Sequence, residues 1–312
     1  MNAAALPVQK AWLGWAAIAL ASCLGAGNFV VSRYIIKASI NANDMTALRF
    51  AAAGILLLPL LWRQGIGTLA GLGLRRGLVM TTLAGAPFSL VMLWGLHFAP
   101  AAHGAVLIPG SVPVYTAIGM WLVFGVRISL QKMAAFSLVL AGLALVTGFS
   151  GDNTPGILFG DLLFATAGAA WSAYTILLRR WHLDGVKVAS VVSVLSLGYL
   201  PFYFLLTAPA LGGVSYTQIA LVTIYQGVFL SIGALMLYST SVRHIGPQRT
   251  VLGNASVPVL AALLAVPVLG EMPAPLQWLG IALAVAGVIF AARIKDDMPM
   301  PLSLTPSYLP RT

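Results

Sequence analysis

The chain has 312 residues, of which 60% are hydrophobic and 8% are charged, and its formal net charge is +10. Soluble domains carry roughly 25% charged residues, so this composition excludes a soluble globular domain. The apolar runs are unbroken rather than alternating, which argues against a transmembrane β-barrel and favours an all-α polytopic membrane protein. We interpret the positive charge as that of cytoplasmic loops and not as a nucleic-acid-binding surface, and we expect the lipid bilayer as a partner.

In chain order, ten segments are apolar enough to cross roughly 30 Å of hydrocarbon as helices. They are predicted at 11–34, 43–62, 77–97, 101–124, 130–148, 157–178, 187–208, 216–241, 247–269 and 273–292. Residues 20–23 of the first segment loosely resemble a lipidation box ending at Cys23. Because the apolar run continues past Cys23, we favour a retained first span over a cleaved leader.

Basic residues segregate to one side of this arrangement. In the ten-span arrangement, 14 of the 17 Lys and Arg residues lie on the side of both termini. The other three, Arg33, Lys37 and Arg49, surround the first loop of the opposite side. Since basic loops stay cytoplasmic, both termini are predicted to be cytoplasmic, in a bacterial inner membrane. We interpret Arg33 as an interfacial residue whose side chain snorkels.

An internal repeat divides the chain into two halves. Residues 107–146 align without a gap onto residues 252–291, with eleven identities in forty positions, including Pro113/Pro258 and Gly142/Gly287. Five spans per half is an odd number, so the second half is predicted to be inverted relative to the first. Inverted repeats are typical of secondary transporters. The predicted division is residues 1–148, a linker at 149–156, residues 157–295, and a disordered cytoplasmic tail at 296–312.

The end of the second half carries a family-like motif: Leu269-Gly270-Glu271, then Gln277, Gly280 and Gly287. This stretch resembles the closing helix pair of the EamA family in the drug/metabolite transporter superfamily. The first half resembles a degenerate copy, with Val126 at the position of the acid. The resemblance implies two five-helix bundles around a central cavity and export of small metabolites, with YddG-type amino-acid exporters as the expected subgroup.

Substrate sites of such carriers lie near the midplane, where the repeats meet. Pairing of the two halves and the placement of aromatic and polar groups give a set of predicted cavity residues. They are Asn28, Phe88, Ser111, Tyr115, Trp171, Ser172, Tyr174, Tyr225, Asn254 and Ser256. Trp171 could instead pack between helices, and Ser111, Asn254 and Ser256 could instead bond backbone carbonyls freed by nearby prolines. Pro113 and Pro258 are predicted hinges, although packing alone could also explain them.

Several kinds of site are missing from the pattern. No acid stands firmly at mid-span, so a coupling carboxylate is not evident. His97 and His103 have poor metal spacing and are interpreted as interfacial, and Glu271 as a cap of the tenth helix or a partner of interfacial donors. We predict no metal and no cofactor. The sequence also lacks a phosphate-binding Lys loop, so no ATPase subunit is expected.

These patterns predict a secondary transporter that is not an enzyme and that works by alternating access. An aromatic, uncharged cavity would favour amino acids, especially neutral ones with aromatic or hydrophobic side chains, as the small-molecule substrate. An exporter of drugs, nucleosides or other metabolites on the same fold is the main alternative. An intramembrane enzyme is disfavoured because no paired acids or Ser/His set share a depth, and a scaffold gives no reason for an inverted duplication.

Overall fold

The computed structural model describes residues 11–38, 40–125, 128–148, 155–207, 209 and 211–294. Within these ranges the chain forms ten helices that are long and apolar enough to cross a membrane, and no strands. Val126, which stands where the family motif would have an acid, lies outside the described residues. So do residues 149–154 of the predicted linker and the predicted disordered tail.

The ten helices match the predicted spans to within a few residues at most ends. They are α1 (Ala11–Ala38), α2 (Ala42–Gly65), α3 (Gly73–Phe98), α4 (Ala101–Phe124), α5 (Leu130–Gly148), α6 (Pro155–Arg180), α7 (Gly185–Leu206), α8 (Tyr216–Ile245), α9 (247–269) and α10 (Pro275–Arg293). The agreement follows from the bilayer, because each span must bury about 20 consecutive apolar residues and satisfy its own backbone hydrogen bonds. The all-α fold class is confirmed.

Four helices are irregular in ways that the apolar pattern did not predict. Helix α3 breaks at Gly85, α7 has a 3₁₀ turn at Ser196–Gly198, α8 is π-helical over Ile224–Gly233, and α9 is interrupted at 255–256. Two of these breaks face each other, since Ser196 Oγ accepts a hydrogen bond from the backbone N–H of Ala86 at 3.1 Å. A Cβ at Gly85 would lie 2.5 Å from that hydroxyl, so only glycine fits there.

Helix packing obeys the repeat. Helix α1 packs on α8 and α9, while its repeat mate α6 packs on α3 and α4, which are the mates of α8 and α9. The mates α2 and α7 contact each other, and so do α5 and α10. Each half therefore inserts its first helix into the other half. The end of α1 and the beginning of α6 lie at the same end of the bundle, both beside the beginning of α4, so the two halves are inverted.

At the α5–α10 crossing the backbones of the two halves approach each other closely. A Cβ at Gly142 would lie 2.5 Å from the carbonyl oxygen of Gly280 and 2.5 Å from the backbone nitrogen of Ala284. A Cβ at Gly287, the repeat mate of Gly142, would lie 2.8 Å from the carbonyl oxygen of Ala135. Small residues allow such close approach where lipid supplies no hydrophobic drive between helices. Gly280 and Gly287 of the family-like motif thus allow the two repeats to pack closely at this crossing.

Candidate functional site

A cavity of about 440 Å³ lies between the two halves, near the middle of the bundle. Eight helices contribute to it, and α5 and α7 do not. Its wall includes Gly25, Asn28, Phe29, Arg49, Phe88, Met92, Val106, Ile108, Pro109, Gly110, Pro113, Trp171, Tyr238, Asn254, Val257, Pro258 and Val285. The volume falls within the range of small-molecule sites. Most of the lining is apolar, with a few polar side chains.

Arg49 is the cation of this wall. It lies two turns into α2, and among the described residues it has no carboxylate within ion-pair distance. Its one hydrogen bond given by the structure runs to Ser89 Oγ at a long 3.5 Å, and its Nε is buried without a partner. The guanidinium also lies 5.5 Å from the ring centre of Phe50. An arginine has five N–H donors, so most of this group's bonding capacity is free.

This finding corrects one interpretation drawn from the sequence, that the cavity is uncharged. Arg49 was expected near the first loop, within the predicted span 43–62. The structure places it on the face of α2 that is turned to the cavity. The positive-inside pattern reports the depth of a residue only coarsely, and it carries no information on which helix face a residue occupies.

Aromatic rings form one side of the cavity. The centroids of Phe88 and Trp171 are 5.4 Å apart, and those of Trp171 and Tyr174 are 5.2 Å apart. Trp171 keeps 40% of its surface accessible, and Tyr238 lines another part of the cavity. Aromatic pairs at these distances attract each other beyond simple burial. The wall therefore offers flat apolar faces close to a cation.

Four of the ten predicted cavity residues line this space: Asn28, Phe88, Trp171 and Asn254. Both predicted hinges, Pro113 and Pro258, line it as well. The Asn28 amide nitrogen lies 3.8 Å from Met92 Sδ, and Asn28 Oδ1 accepts a hydrogen bond from Ser32 at 3.4 Å. Both contacts are long, so the Asn28 amide is weakly held.

The other six do not line the cavity. Three of them are hydroxyls that bond within the protein: Ser111 donates to Ile108 O at 3.2 Å, Ser256 donates to Gly253 O at 2.8 Å, and Ser172 shares a 2.9 Å bond with Thr116. For Ser111 and Ser256 this is the backbone-bonding alternative, which proline-containing helices favour by freeing carbonyl groups.

The three tyrosines also lie outside the lining. Tyr225 donates to Leu24 O at 3.1 Å and fills the space beside Gly27. Tyr174 packs behind Trp171 and against a separate apolar cluster around Val188 and Val191. Tyr115 is half-buried on α4. The spacing along the helices did not specify which face of each helix meets the cavity.

A polar network covers one end of the bundle, which we call the closed end. Arg33 Nε lies 3.1 Å from Glu271 Oε1, and Lys37 Nζ lies 2.7 Å from the same oxygen. Glu271 Oε2 accepts the backbone N–H of Ala101 at 3.0 Å, and Arg33 donates to the carbonyls of Leu96 and His97. The network joins α1, α3, α4 and the α9–α10 loop one helical turn beyond the cavity residue Phe29.

Arg33 is therefore a buried ion-pair partner and does not snorkel, which corrects its sequence-based interpretation. It is 8% exposed, because Glu271 from the other half supplies the counter-charge. Burial raises the pKa of Glu271, but hydrogen bonds from Lys37 and Ala101 and the charge of Arg33 outweigh it and hold this pKa below its ordinary value of 4.5. Of the two roles predicted for Glu271, the structure shows the one in which it binds interfacial donors. The cap of α10 is Gln277, which accepts the Ala274 N–H at 2.8 Å.

A second polar cluster lies beside the first. His103 is fully buried, and its Nδ1 is 2.7 Å from Asp161 Oδ1. Gln277 Nε2 lies 3.2 Å from His103 Nε2 and donates to Val146 O at 2.9 Å. The position of His103 beside a predicted turn had indicated an interfacial residue. This interpretation is wrong, because α6 and α10 cover His103. His97, by contrast, packs edge-on against Phe98 near the surface.

One further buried acid escaped prediction. Asp44, in the first turn of α2, is fully buried and accepts a 2.5 Å hydrogen bond from Tyr203 on α7. Its sequence neighbours look like a loop, and only the α2–α7 contact buries it. Across the described residues, no three His, Cys, Asp or Glu side chains group together as metal ligands would.

Comparison with known proteins agrees with this architecture. The model of the EamA-like transporter family matches residues 12–148 and again residues 158–293, one copy for each half. A solved crystal structure aligns with this protein over 91% of this chain and 96% of the other chain, with a TM-score of 0.57 at 22% identity. The two proteins therefore share the fold.

Two curated relatives extend this result. "Uncharacterized inner membrane transporter YedA" of Escherichia coli K12 is 26% identical over 262 residues, which are 82% of this chain and 83% of the relative. "Probable terminal-alkyne amino-acid exporter" of Streptantibioticus cattleyicolor is 26% identical over 231 residues, 70% and 74% of the two chains. With both halves matched by one family model and ten membrane-length helices, the chain belongs to the EamA-like transporter family and is a membrane transporter.

Proposed function

We propose that this transporter exports amino acids, preferentially neutral ones with aromatic or hydrophobic side chains, and that Arg49 binds their carboxylate. The observation that carries the proposal is a guanidinium without an acidic partner in a mostly apolar cavity. A buried cation that lacks a counter-charge is costly, and an anionic ligand removes that cost. The planar donors of arginine match a carboxylate in a bidentate arrangement.

The rest of the wall fits the remainder of such a solute. Phe88, Trp171 and Tyr238 offer aromatic faces to an apolar side chain. No described residue in the wall is an acid, so the ammonium group would bind to neutral acceptors, for which we assign the amide oxygens of Asn28 and Asn254. A cation can also lie over an aromatic face. One cation and no fixed anion favour a zwitterion or a monoanion over an organic cation.

Transport in this proposal follows alternating access around the central cavity. Pro109, Pro113 and Pro258 line the cavity, where proline frees backbone carbonyls and lets a helix bend. We propose Pro113 and Pro258 as the hinges of the two halves. We also propose that both termini are cytoplasmic, which places the closed end on the outer side. The probable amino-acid exporter among the relatives is consistent with this substrate class.

The test measures counterflow in proteoliposomes, in which trapped unlabelled solute accelerates uptake of label. The two probes are L-phenylalanine and phenethylamine, which differ by the carboxylate alone. Wild-type protein should favour phenylalanine. Arg49→Gln should lower its apparent affinity by about 10–100-fold, the usual cost of losing a charge-assisted hydrogen bond, without weakening phenethylamine.

Arg76→Gln is the matched control, because Arg76 stacks on Trp181 far from the cavity. This variant should leave the counterflow of both probes unchanged. Equal transport of the amine and the amino acid by wild-type protein would remove the carboxylate assignment. Transport confined to nucleosides or uncharged drugs would assign the chain to the alternative cargo on the same fold.

A further inference from the structure

We propose that His103 and Asp161 form a proton-binding site whose occupancy is linked to opening of the closed end. Both lie within membrane helices. His103 is one helical turn from Val106, which lines the cavity, and Asp161 is one turn from Phe164, which belongs to the same buried core cluster as Val106. Buried acid–histidine pairs at membrane depth are costly, and in transporters they commonly carry protons. Neither the family match nor the relatives' names assign such a site.

The hydrogen bonds determine where the protons are in the closed state. Gln277 Oε1 accepts the Ala274 N–H and Nε2 donates to Val146 O, so the amide cannot be flipped. The second hydrogen of Nε2 points to His103 Nε2, which must therefore accept and carry no proton. His103 is then neutral, with its proton on Nδ1, donated to Asp161 Oδ1.

In this state the pair has a net charge of −1, and Asp161 Oδ2 is buried with no partner. A proton from water at the closed end can form an N–H bond at His103 Nε2 and convert the pair into an ion pair of zero net charge. That N–H would face the N–H of Gln277, so the Gln277–His103 bond breaks. The two hydrogen bonds of Gln277 Nε2 link the beginning of α10 to α4 and α5, and the one to His103 on α4 is the bond that protonation breaks.

Protonation and the closed arrangement of Gln277 therefore exclude each other. By linkage, proton uptake favours opening of this end and closure expels the proton. Release toward the cavity on closure would couple one proton moving inward to solute moving outward, which is antiport. This direction rests on the proposed function, whereas the proton site itself does not.

Other charged groups around the pair belong to the neighbouring network. Glu271 binds the Ala101 N–H two residues before His103, and Arg33 and Lys37 bind Glu271. His97 stands at the end of α3. At this end of α5, α6, α9 and α10, the described residues contribute no titratable side chain besides Asp161. Because Arg33 and Lys37 both bind Glu271, neither of them pairs with His103 or Asp161.

The first experiment needs no substrate. Nitrogen-15 NMR of histidine-labelled protein in detergent reports the protonation of each ring nitrogen, and His103→Gln assigns the His103 signals among the four histidines. We expect the Nδ1–H tautomer at alkaline pH and proton uptake at Nε2 on acidification. Asp161→Asn should suppress that uptake, since it removes the negative charge. An Nε2–H tautomer, or no change across the pH range in which the protein stays folded, would overturn the proposal.

The second experiment tests coupling in proteoliposomes. A pH gradient with the closed-end side acidic should accelerate net phenylalanine movement by wild-type protein. Asp161→Asn should keep counterflow and lose the acceleration, and His103→Gln should behave alike if the first variant does not fold. Asp184→Asn, which keeps an N-cap on α7 at the other end, should respond like wild type. An unchanged gradient response in Asp161→Asn would overturn the coupling, while absence of phenylalanine counterflow in wild type would count against the substrate and leave the NMR test standing.

Discussion

Arg33 and Arg49 lie on consecutive helices near the same end of the bundle, yet their surroundings are opposite. Arg33 pairs with Glu271 and two backbone carbonyls, whereas Arg49 faces the cavity with one long hydrogen bond. The paired arginine joins the two halves of the protein. The unpaired one leaves its donors for a ligand. In a membrane, the presence or absence of a partner for a buried charge thus distinguishes a residue that closes the protein from one that can bind a ligand.

Breaking the paired arginine should produce the largest effect. Glu271→Gln leaves Arg33 as an uncompensated buried charge and should destabilise the protein by about 3 kcal/mol. Lys37→Gln removes a half-exposed partner of the same carboxylate and should cost about 0.5 kcal/mol or less. Melting temperatures in detergent compare the two variants. Similar shifts would mean that Glu271 does not hold Arg33 as its main partner.

The aromatic wall offers a smaller effect on binding. Trp171→Ala should weaken an aromatic substrate by about tenfold, roughly 1.5 kcal/mol of ring contact, and weaken alanine much less. Competition by unlabelled amino acids in the counterflow assay measures both. Trp62→Ala is the control, since Trp62 is 71% exposed and lies outside the cavity wall. An equal loss for both solutes would indicate a packing role for Trp171.

The unpaired arginine should respond in the opposite sense to the paired one. Arg49→Gln removes an unpaired, partly buried charge and should raise the melting temperature by the equivalent of about 1 kcal/mol, while the apparent affinity for phenylalanine falls. Stability gained with function lost is the expected signature of a binding group. A clear decrease in melting temperature would show that Arg49 holds the fold together, and would weaken its assignment to the substrate.

The smallest effect concerns pH. The pKa of Glu271 lies below 4.5 in the folded protein, so its contribution to stability is fully present above pH 4.5 and is lost as the pH falls through the lowered value. The melting-temperature difference between wild type and Glu271→Gln should be constant near neutral pH and shrink only in acid. A difference that shrinks already near neutral pH would point to a different titrating group.

The sequence predicted the ten helices well because each span is a local property. It also predicted the inversion, through the odd number of spans between copies. The 3₁₀ turn of α7 was not predicted, because it depends on the neighbouring helix α3, where Ser196 meets Gly85. The π-helical segment of α8 was not predicted either. Of the candidate site, Asn28, Phe88, Trp171 and Asn254 line the cavity, while six others with equally plausible spacing face elsewhere.

Arg49 shows why the remainder could not be predicted. Its depth could be estimated from the chain, but the face of α2 that meets the cavity depends on how α2 rotates against α3, α7 and α8. His103 shows the same limit for burial, since a residue beside a turn is covered only when α6 and α10 pack over it.

The amino-acid sequence alone determined that this protein crosses a membrane ten times and consists of two related halves, because hydrocarbon thickness and duplication leave marks on contiguous residues. The tertiary structure alone decided which polar side chains are paired. The partners Arg33–Glu271 and His103–Gln277 are 238 and 174 residues apart, and only the crossing and rotation of the packed helices bring them into contact.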